Sequence, residues 1–173
     1  LDGEKIHGKP SSVQEKLSGA VSSVIDGSDY KTIYTPGQLQ QWIKKLQAAP
    51  LFAVDTETTS LDYMQAEIVG LSFALQSNAG SDDAPVIEAA YLPLGHDYID
   101  APKQLSLADT LAQLKPLLES EQYHKVGQNL KYDLQVLVNY GIHVKGKIFD
   151  TMIAHYLIQP EQKHGLDYLA EAY

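Results

Sequence analysis

The first half of the chain predicts one helix followed by three strands. After Thr35-Pro36, apolar residues recur at helical intervals, which predicts a helix with Thr35 as its N-cap. Its predicted core face consists of Leu39, Trp42, Ile43 and Leu46. Apolar runs predict strands at 51–55, 68–75 and 87–94, with a polar loop at 76–85. Because short loops join them, we expect these strands to be antiparallel.

The second half of the chain is mainly helical in its pattern, with short extended pieces between the helices. The predicted elements are a helix after Ser106, a strand at 123–127, a helix at 129–141 ended by Gly141, an extended piece near Val144, a helix capped by Asp150 and a last helix from about His164. Helices that follow and flank a sheet in this order predict a single α/β layered fold.

The segment before residue 30 has a different composition from the rest. Residues 1–29 are rich in Ser, Gly, Lys and Glu, and only Val13, Leu17 and Val24 form a weak helical stripe. We interpret 1–29 as a linker or N-terminal arm and 30–173 as the folded domain. Because the chain begins with Leu1 rather than Met, we expect it to be part of a longer polypeptide.

Composition narrows the class of protein and the kind of site. The chain has 173 residues and no cysteine, which excludes disulfides, thiolate metal ligands and a cysteine nucleophile. No apolar run reaches membrane-spanning length, so we expect no membrane partner. The net charge is −9, with 22 acidic residues against 13 lysines and no arginine. That balance argues against a nucleic-acid partner, except where bound divalent metals supply the positive charge.

Three carboxylates are candidates for such a metal site. If the extended backbone of the predicted strand 51–55 persists to Glu57, Asp55 and Glu57 alternate with Thr56 and point to one face, with Cα atoms roughly 6–7 Å apart. Asp133 lies beside a predicted inward stripe of Leu130, Leu134, Leu137 and Val138. Mg²⁺ and Mn²⁺ prefer such oxygen ligands. The alternative is that Asp55 and Glu57 end a strand in solvent and that Asp133 leans out to water. We interpret the histidines as structural, Asp62 as a turn residue and Asp150 as a cap.

Five segments carry a resemblance to a known family. They are "FAVDTETTSLDYMQAEIVGLSFAL", "YLPLGHDYIDAP", "LKPLLESEQYHKVGQNLKYDLQVLVNYGI", "FDTMIAHYLI" and "HGLDYLAEAY". From about Asp29 to Tyr173 the chain resembles the 3′–5′ exonuclease, or proofreading, domain of bacterial DNA polymerase I. The resemblance implies a ribonuclease-H-like α/β fold, a mixed sheet flanked by helices, of the DEDD exonuclease type.

The resemblance also implies roles for eight residues. Asp55, Glu57 and Asp133 match acids that hold two divalent ions, Mg²⁺ or Mn²⁺, with Zn²⁺ as an alternative at one site. The substrate would be the 3′ end of single-stranded DNA and the product a nucleoside 5′-monophosphate. Thr58 and Leu61 match positions that contact the terminal nucleotide. Gln128, Asn129 and Tyr132 match positions beside the bound strand, which suit a site that stacks bases without reading their order.

Two departures from the family's pattern change what we expect of this chain. The family's third motif, Tyr-x-x-x-Asp, would lie beyond Tyr173, and none of the 11 tyrosines matches it, so we expect an incomplete domain that can be inactive alone. Near Lys163 the family often has an arginine that reaches toward substrate. Lysine keeps the charge but loses the bidentate fork.

The resemblance further implies a setting, and it leaves alternatives open. We expect a monomer in the bacterial cytoplasm, associated with the nucleoid and covalently linked to a polymerase domain and a 5′-nuclease domain. One alternative is an inactive module that binds DNA or braces the polymerase. Another is an exoribonuclease similar to RNase D, although "PLGHDYIDAP" favours the polymerase family.

Overall fold

A computed structural model describes residues 30–77 and 86–173. The predicted arm at 1–29, and most of the predicted polar loop, lie outside these ranges. Six strands and five helices follow one another along the described chain. They are β1 (Tyr30–Thr32), α1 (Pro36–Ala48), β2 (Leu51–Thr58), β3 (Ile68–Ser77), β4 (Val86–Pro93), α2 (Leu107–Leu118), β5 (His124–Gly127), α3 (Leu130–Asn139), β6 (Ile148–Asp150), α4 (Thr151–Ile158) and α5 (Leu166–Ala172).

The strands form one mixed sheet in the order β1-β4-β3-β2-β5-β6. The three strands from β2 to β4 are antiparallel, as the short connections predicted. β1 joins β4 in parallel, and β5 lies parallel to both β2 and β6. The predicted α/β fold with a mixed sheet and flanking helices is therefore confirmed.

Helix signals in the sequence account for how α1 and α2 begin. Thr35 caps α1 through a capping box, in which its hydroxyl accepts from the Gln38 amide (3.3 Å) and the Gln38 side chain accepts from the Thr35 amide (3.0 Å). Ser106 caps α2. The predicted stripe of α1, Trp42 included, is buried in one hydrophobic core with alternate residues of the strands, such as Phe52 and Val54.

Several predicted boundaries were wrong. β1 was missed, because three residues with exposed or half-buried side chains carry no alternation signal. β2 runs through Thr58 rather than ending at Asp55, so the acids lie within the strand. The extended piece expected near Val144 is β6, four residues later. Val138 was assigned to the inward stripe of α3 but is 41% exposed, and Val136 is buried in its place.

A buried lysine ties the start of β5 to two loops. Lys125 is 1% exposed, and its ammonium donates to the carbonyl oxygens of Ser120 (3.0 Å), Tyr123 (2.9 Å) and Lys145 (2.7 Å). Burial lowers the pKa of Lys125 to about 8. The charged form is nonetheless fully hydrogen-bonded, because the three carbonyl oxygens accept from all three of its N–H groups. These hydrogen bonds anchor β5 to the loop before it and to the loop before β6. No helix in the described ranges has the length and apolarity needed to cross a bilayer.

Candidate active site

β2 presents two carboxylates on the face of the sheet opposite to its buried residues. Phe52, Val54 and Thr56 point into the core, so Asp55 and Glu57 point the other way, and both are exposed. Asp55 lies opposite Ser72 of β3, and Glu57 lies opposite Gly70. A side chain at residue 70 would overlap the hydroxyl of Tyr91, so the tyrosine ring lies directly across that glycine. The predicted shared face of the two acids is confirmed.

The third carboxylate reaches the same strand from α3. β5 pairs with β2 only as far as Ala53 and Val126, after which the chain turns into α3. Beside the free half of β2, Asp133 Oδ1 accepts from both the amide (2.9 Å) and the hydroxyl (2.6 Å) of Thr56. Asp133 is 3% exposed, so the alternative in which it leans out to water is wrong. The sequence analysis missed Thr56, although a hydroxyl at a buried position between two acids was a usable signal.

The charges of Asp133 and Glu57 raise the proton affinity of Asp55. The pKa of Asp55 is raised to about 6, first because the strand and its neighbours partly remove this exposed carboxylate from water, and then by the charges of Asp133 and Glu57. Burial also raises the pKa of Asp133, against the opposing effect of the two bonds from Thr56. The charge of Glu57 adds to burial in raising the pKa of Tyr91. Such uncompensated negative charge is what a divalent cation would neutralise.

The donor set fits hard cations, but the coordination is incomplete. Asp55, Glu57 and Asp133 offer only oxygen ligands, which suit Mg²⁺ or Mn²⁺. Across 30–77 and 86–173, no three acidic or histidine side chains lie close enough together to hold one ion by themselves. The described part of the chain thus supplies charge complementarity for divalent ions rather than a finished coordination sphere.

The turn after β2 is held by a tyrosine of α3. The hydroxyl of Tyr132 lies 2.5 Å from Thr58 Oγ1 and also donates to the carbonyl oxygen of Ser60. Leu61 follows in this turn and is 96% exposed. Of the predicted substrate residues, Thr58 and Tyr132 therefore lie on the strand and helix that carry the acids and contact each other, and Leu61 lies on the turn that they hold.

The remaining predicted substrate residues lie at the start of α3 and on the loop before α5. The side chain of Gln128 donates to the carbonyl oxygen of His164 (2.5 Å) and accepts from the Thr151 hydroxyl (2.5 Å). The backbone N–H of Asn129 donates to Asp150 Oδ1 (3.1 Å). Asp150 also caps α4, as predicted. Lys163 is exposed next to His164.

Comparison with known protein sequences identifies the family of this chain. The family model of the 3′–5′ exonuclease matches residues 30–173. The chain belongs to this family. Two curated members of similar sequence are both called DNA polymerase I. The one from Pseudomonas aeruginosa is 42% identical over 148 residues, 84% of this chain, and the one from Rhizobium leguminosarum is 43% identical over 157 residues, 86% of this chain. The chain spans only 15% of the length of either relative.

Several solved structures share the fold of this chain. The polymerase domain of Pol1 from M. smegmatis, in complex with DNA primer-template and dNTP, has a TM-score of 0.61 at 21% identity, covering 83% of this chain and 22% of its own. Escherichia coli RNase D, an exoribonuclease, has a TM-score of 0.57 at 19% identity, covering 83% and 33%. Brucella melitensis NrnC with bound Mg²⁺ has a TM-score of 0.53 at 19% identity, covering 83% and 59%. The fold is ribonuclease-H-like.

Proposed function

We propose that the chain is the proofreading 3′–5′ exonuclease domain of a bacterial DNA polymerase I. It removes nucleoside 5′-monophosphates from the 3′ end of single-stranded DNA with two divalent ions. The observation that carries the proposal is the meeting of Asp133 with β2 at Thr56, beside Asp55 and Glu57. Membership of the exonuclease family supports it, and so does the name DNA polymerase I that the two relatives of similar sequence carry.

The mechanism assigns each described residue a task. Asp55, Glu57 and Asp133 hold the divalent ions, and Thr56 fixes the orientation of Asp133. When bound, Mg²⁺ or Mn²⁺ would activate the attacking water and stabilise charge at the leaving oxygen. Water adds to the terminal phosphorus, the bond from phosphorus to the 3′-oxygen breaks, and that oxygen takes a proton. The shortened strand keeps a 3′-hydroxyl group.

The substrate residues hold the strand for this step. Leu61, exposed on the turn that Tyr132 and Thr58 secure, packs against the terminal base. Gln128 and Asn129 face the backbone of the strand, and Lys163 adds a positive charge near it. Because the chain carries a net charge of −9, contact with phosphates depends on the metals and on these few groups.

The proposal extends to the protein as a whole. The family's third motif, Tyr-x-x-x-Asp, completes the site from sequence outside this chain. The linked partners are a polymerase domain and a 5′-nuclease domain in one monomeric protein of the bacterial cytoplasm, associated with the nucleoid. Mg²⁺ or Mn²⁺ occupies both metal positions, with Zn²⁺ as the alternative at one of them.

The test is degradation of a 5′-labelled single-stranded DNA with Mn²⁺ by this chain and by a chain extended by about a hundred residues, the rest of a typical domain. A ladder of shortened products from the extended chain alone is the expected result. An RNA strand of the same sequence distinguishes the activity of RNase D, and preferential cleavage of RNA would contradict the proposal.

Replacing Asp133 with Ala is the sharpest test of the site. In the extended chain we expect at least about 10³-fold slower cleavage, because charge stabilisation at the reacting centre is lost. Glu121→Ala, which removes an exposed acid from the turn between α2 and β5, is the matched control and should cleave normally.

Calorimetric titration with Mn²⁺ addresses the inactive alternative, since a relic would show no binding that depends on Asp55.

A further inference from the structure

Two histidines, His155 and His164, are in direct contact, and His164 directly follows Lys163 in the loop before α5. His155 lies on α4 with 5% of its surface exposed, and its Nδ1 is 2.7 Å from Nδ1 of His164. The two ring centroids are 4.9 Å apart. At this distance the two nitrogens share a single proton, so one ring donates and the other accepts.

The surroundings of this histidine pair are aromatic rather than charged. His155 is edge-on to Tyr168 and Tyr173 of the last helical segment, and Tyr156 is edge-on to His164. No ion pair involves either histidine in the described parts of the chain. The hydrogen bond between the rings is therefore the main polar contact of the pair.

A buried imidazole at residue 155 carries an energetic cost that an apolar side chain would avoid. Its Nε2 is buried and has no hydrogen-bond partner among the described residues, in either tautomer. The compensation is the bond from Nδ1 to His164, which an apolar side chain of the same size would not make.

That bond is the first link of a short chain of contacts to the candidate site. The backbone carbonyl of His164 accepts from the side chain of Gln128, at the turn that leads into α3. Thr151, at the start of α4, donates to the other end of the same amide. Fixing His164 thus fixes Gln128, and it fixes the neighbouring Lys163 in the loop.

We propose that His155 is a positioning residue for the DNA strand, acting through His164 on Gln128 and Lys163. The inference rests on the proposed function, since it assigns those two residues to strand binding. It predicts an effect on the affinity for the strand and on KM, with kcat largely retained, because His155 touches none of the acids.

The test compares two substitutions at residue 155 in the intact protein. His155→Phe keeps an aromatic ring but removes the bond, whereas His155→Asn places an amide near the position of Nδ1 and restores it. With a fluorescent single-stranded oligonucleotide and Ca²⁺, we expect about tenfold weaker binding for His155→Phe and binding within about twofold of wild type for His155→Asn. With Mn²⁺, KM should rise in the same proportion.

A second variant keeps the test decisive if His155→Phe fails to fold. His164→Phe removes the same bond from the more accessible side and leaves the backbone carbonyl in place, so it should weaken binding equally. Wild-type affinity in either folded phenylalanine variant, or equal losses in His155→Phe and His155→Asn, would overturn the inference. If the wild type binds strands without cleaving them, the proposed function fails, and the comparison of affinities still decides the role of His155.

Discussion

At the scale of single residues, the carboxylates of β2 and α3 lower the stability of the folded chain at neutral pH. The pKa of Asp55 is about 6 in the folded chain, against a usual value of 3.8. Between these values the folded state binds more protons than the unfolded state. The contribution of Asp55 to the free energy of unfolding therefore falls as pH rises from about 4 to about 6, and the loss is complete at pH 7.

Replacing Asp55 with Asn should remove this penalty. In EDTA at pH 7 we expect the variant to be more stable than wild type by about 1 kcal/mol, a value reduced for the exposure of Asp55 to solvent. At pH 4 the difference should vanish. Urea unfolding at both pH values measures it, with Glu121→Gln as a control that shows no such dependence.

Metal should reverse the order of stability for the same variant. We expect Mn²⁺ to raise the melting temperature of the wild type by binding the folded state, and Asp55→Asn should lose most of that rise. A variant that is less stable than wild type in EDTA at pH 7 would show that the carboxylates do not repel one another in the folded protein.

The sequence could predict how single residues of the site are oriented, but it could not predict which residues contact each other. The helical period of α3 was enough to place Asp133 inward, because its position relative to Leu130 and Leu137 is a local property. Its partner Thr56 lies 77 residues away in sequence, so only the fold could join them. The same holds for the contact between His155 and His164, since their rings meet across a loop whose course no periodicity encodes.

At the scale of elements, the turn from β5 into α3 sets the position of Asp133. A Cβ atom at Gly127 would lie 2.8 Å from the carbonyl oxygen of Val54 and 2.6 Å from a methyl group of Leu130. The first neighbour is backbone and cannot rotate away. α3 packs this closely against β2 only because residue 127 has no side chain.

Gly127→Ala should therefore push α3 away from β2. We expect it to lower the free energy of unfolding by about 1–3 kcal/mol and to slow cleavage as well, since Asp133 moves with the helix. Gly37→Ala in α1 is the matched control. A Cβ atom there meets nothing within 4 Å, so that change should be neutral or slightly stabilising. Denaturant unfolding and the exonuclease assay measure both variants.

The errors of the sequence analysis also belong to the scale of elements. The two missed or misplaced strands, β1 and β6, have three residues each and are mostly exposed. A strand so short has no alternation to detect and exists because a neighbour offers it a free edge. The longer elements, α1 and β2 to β4, were found because each buries one face.

At the scale of the whole molecule, negative charge sets the conditions for the DNA binding that we propose. With a net charge of −9 the chain repels phosphates at long range, and it contains no arginine that could bind a phosphate through two parallel hydrogen bonds. We expect single-stranded DNA to bind at least about tenfold more weakly in EDTA than with Ca²⁺. Fluorescence anisotropy at constant ionic strength measures this, and equal affinity in the two conditions would mean that the strand binds away from the carboxylates.

The buried ammonium of Lys125 has a consequence for the chemistry of the chain's amines. With a pKa of about 8 this amine would be among the more nucleophilic lysines at neutral pH, yet with 1% of its surface exposed no acylating reagent reaches it. Reaction at Lys125 requires the loops around Ser120 and Lys145 to open first. Acetylation at this position would therefore show that the region around β5 had unfolded locally. It could not regulate the folded protein.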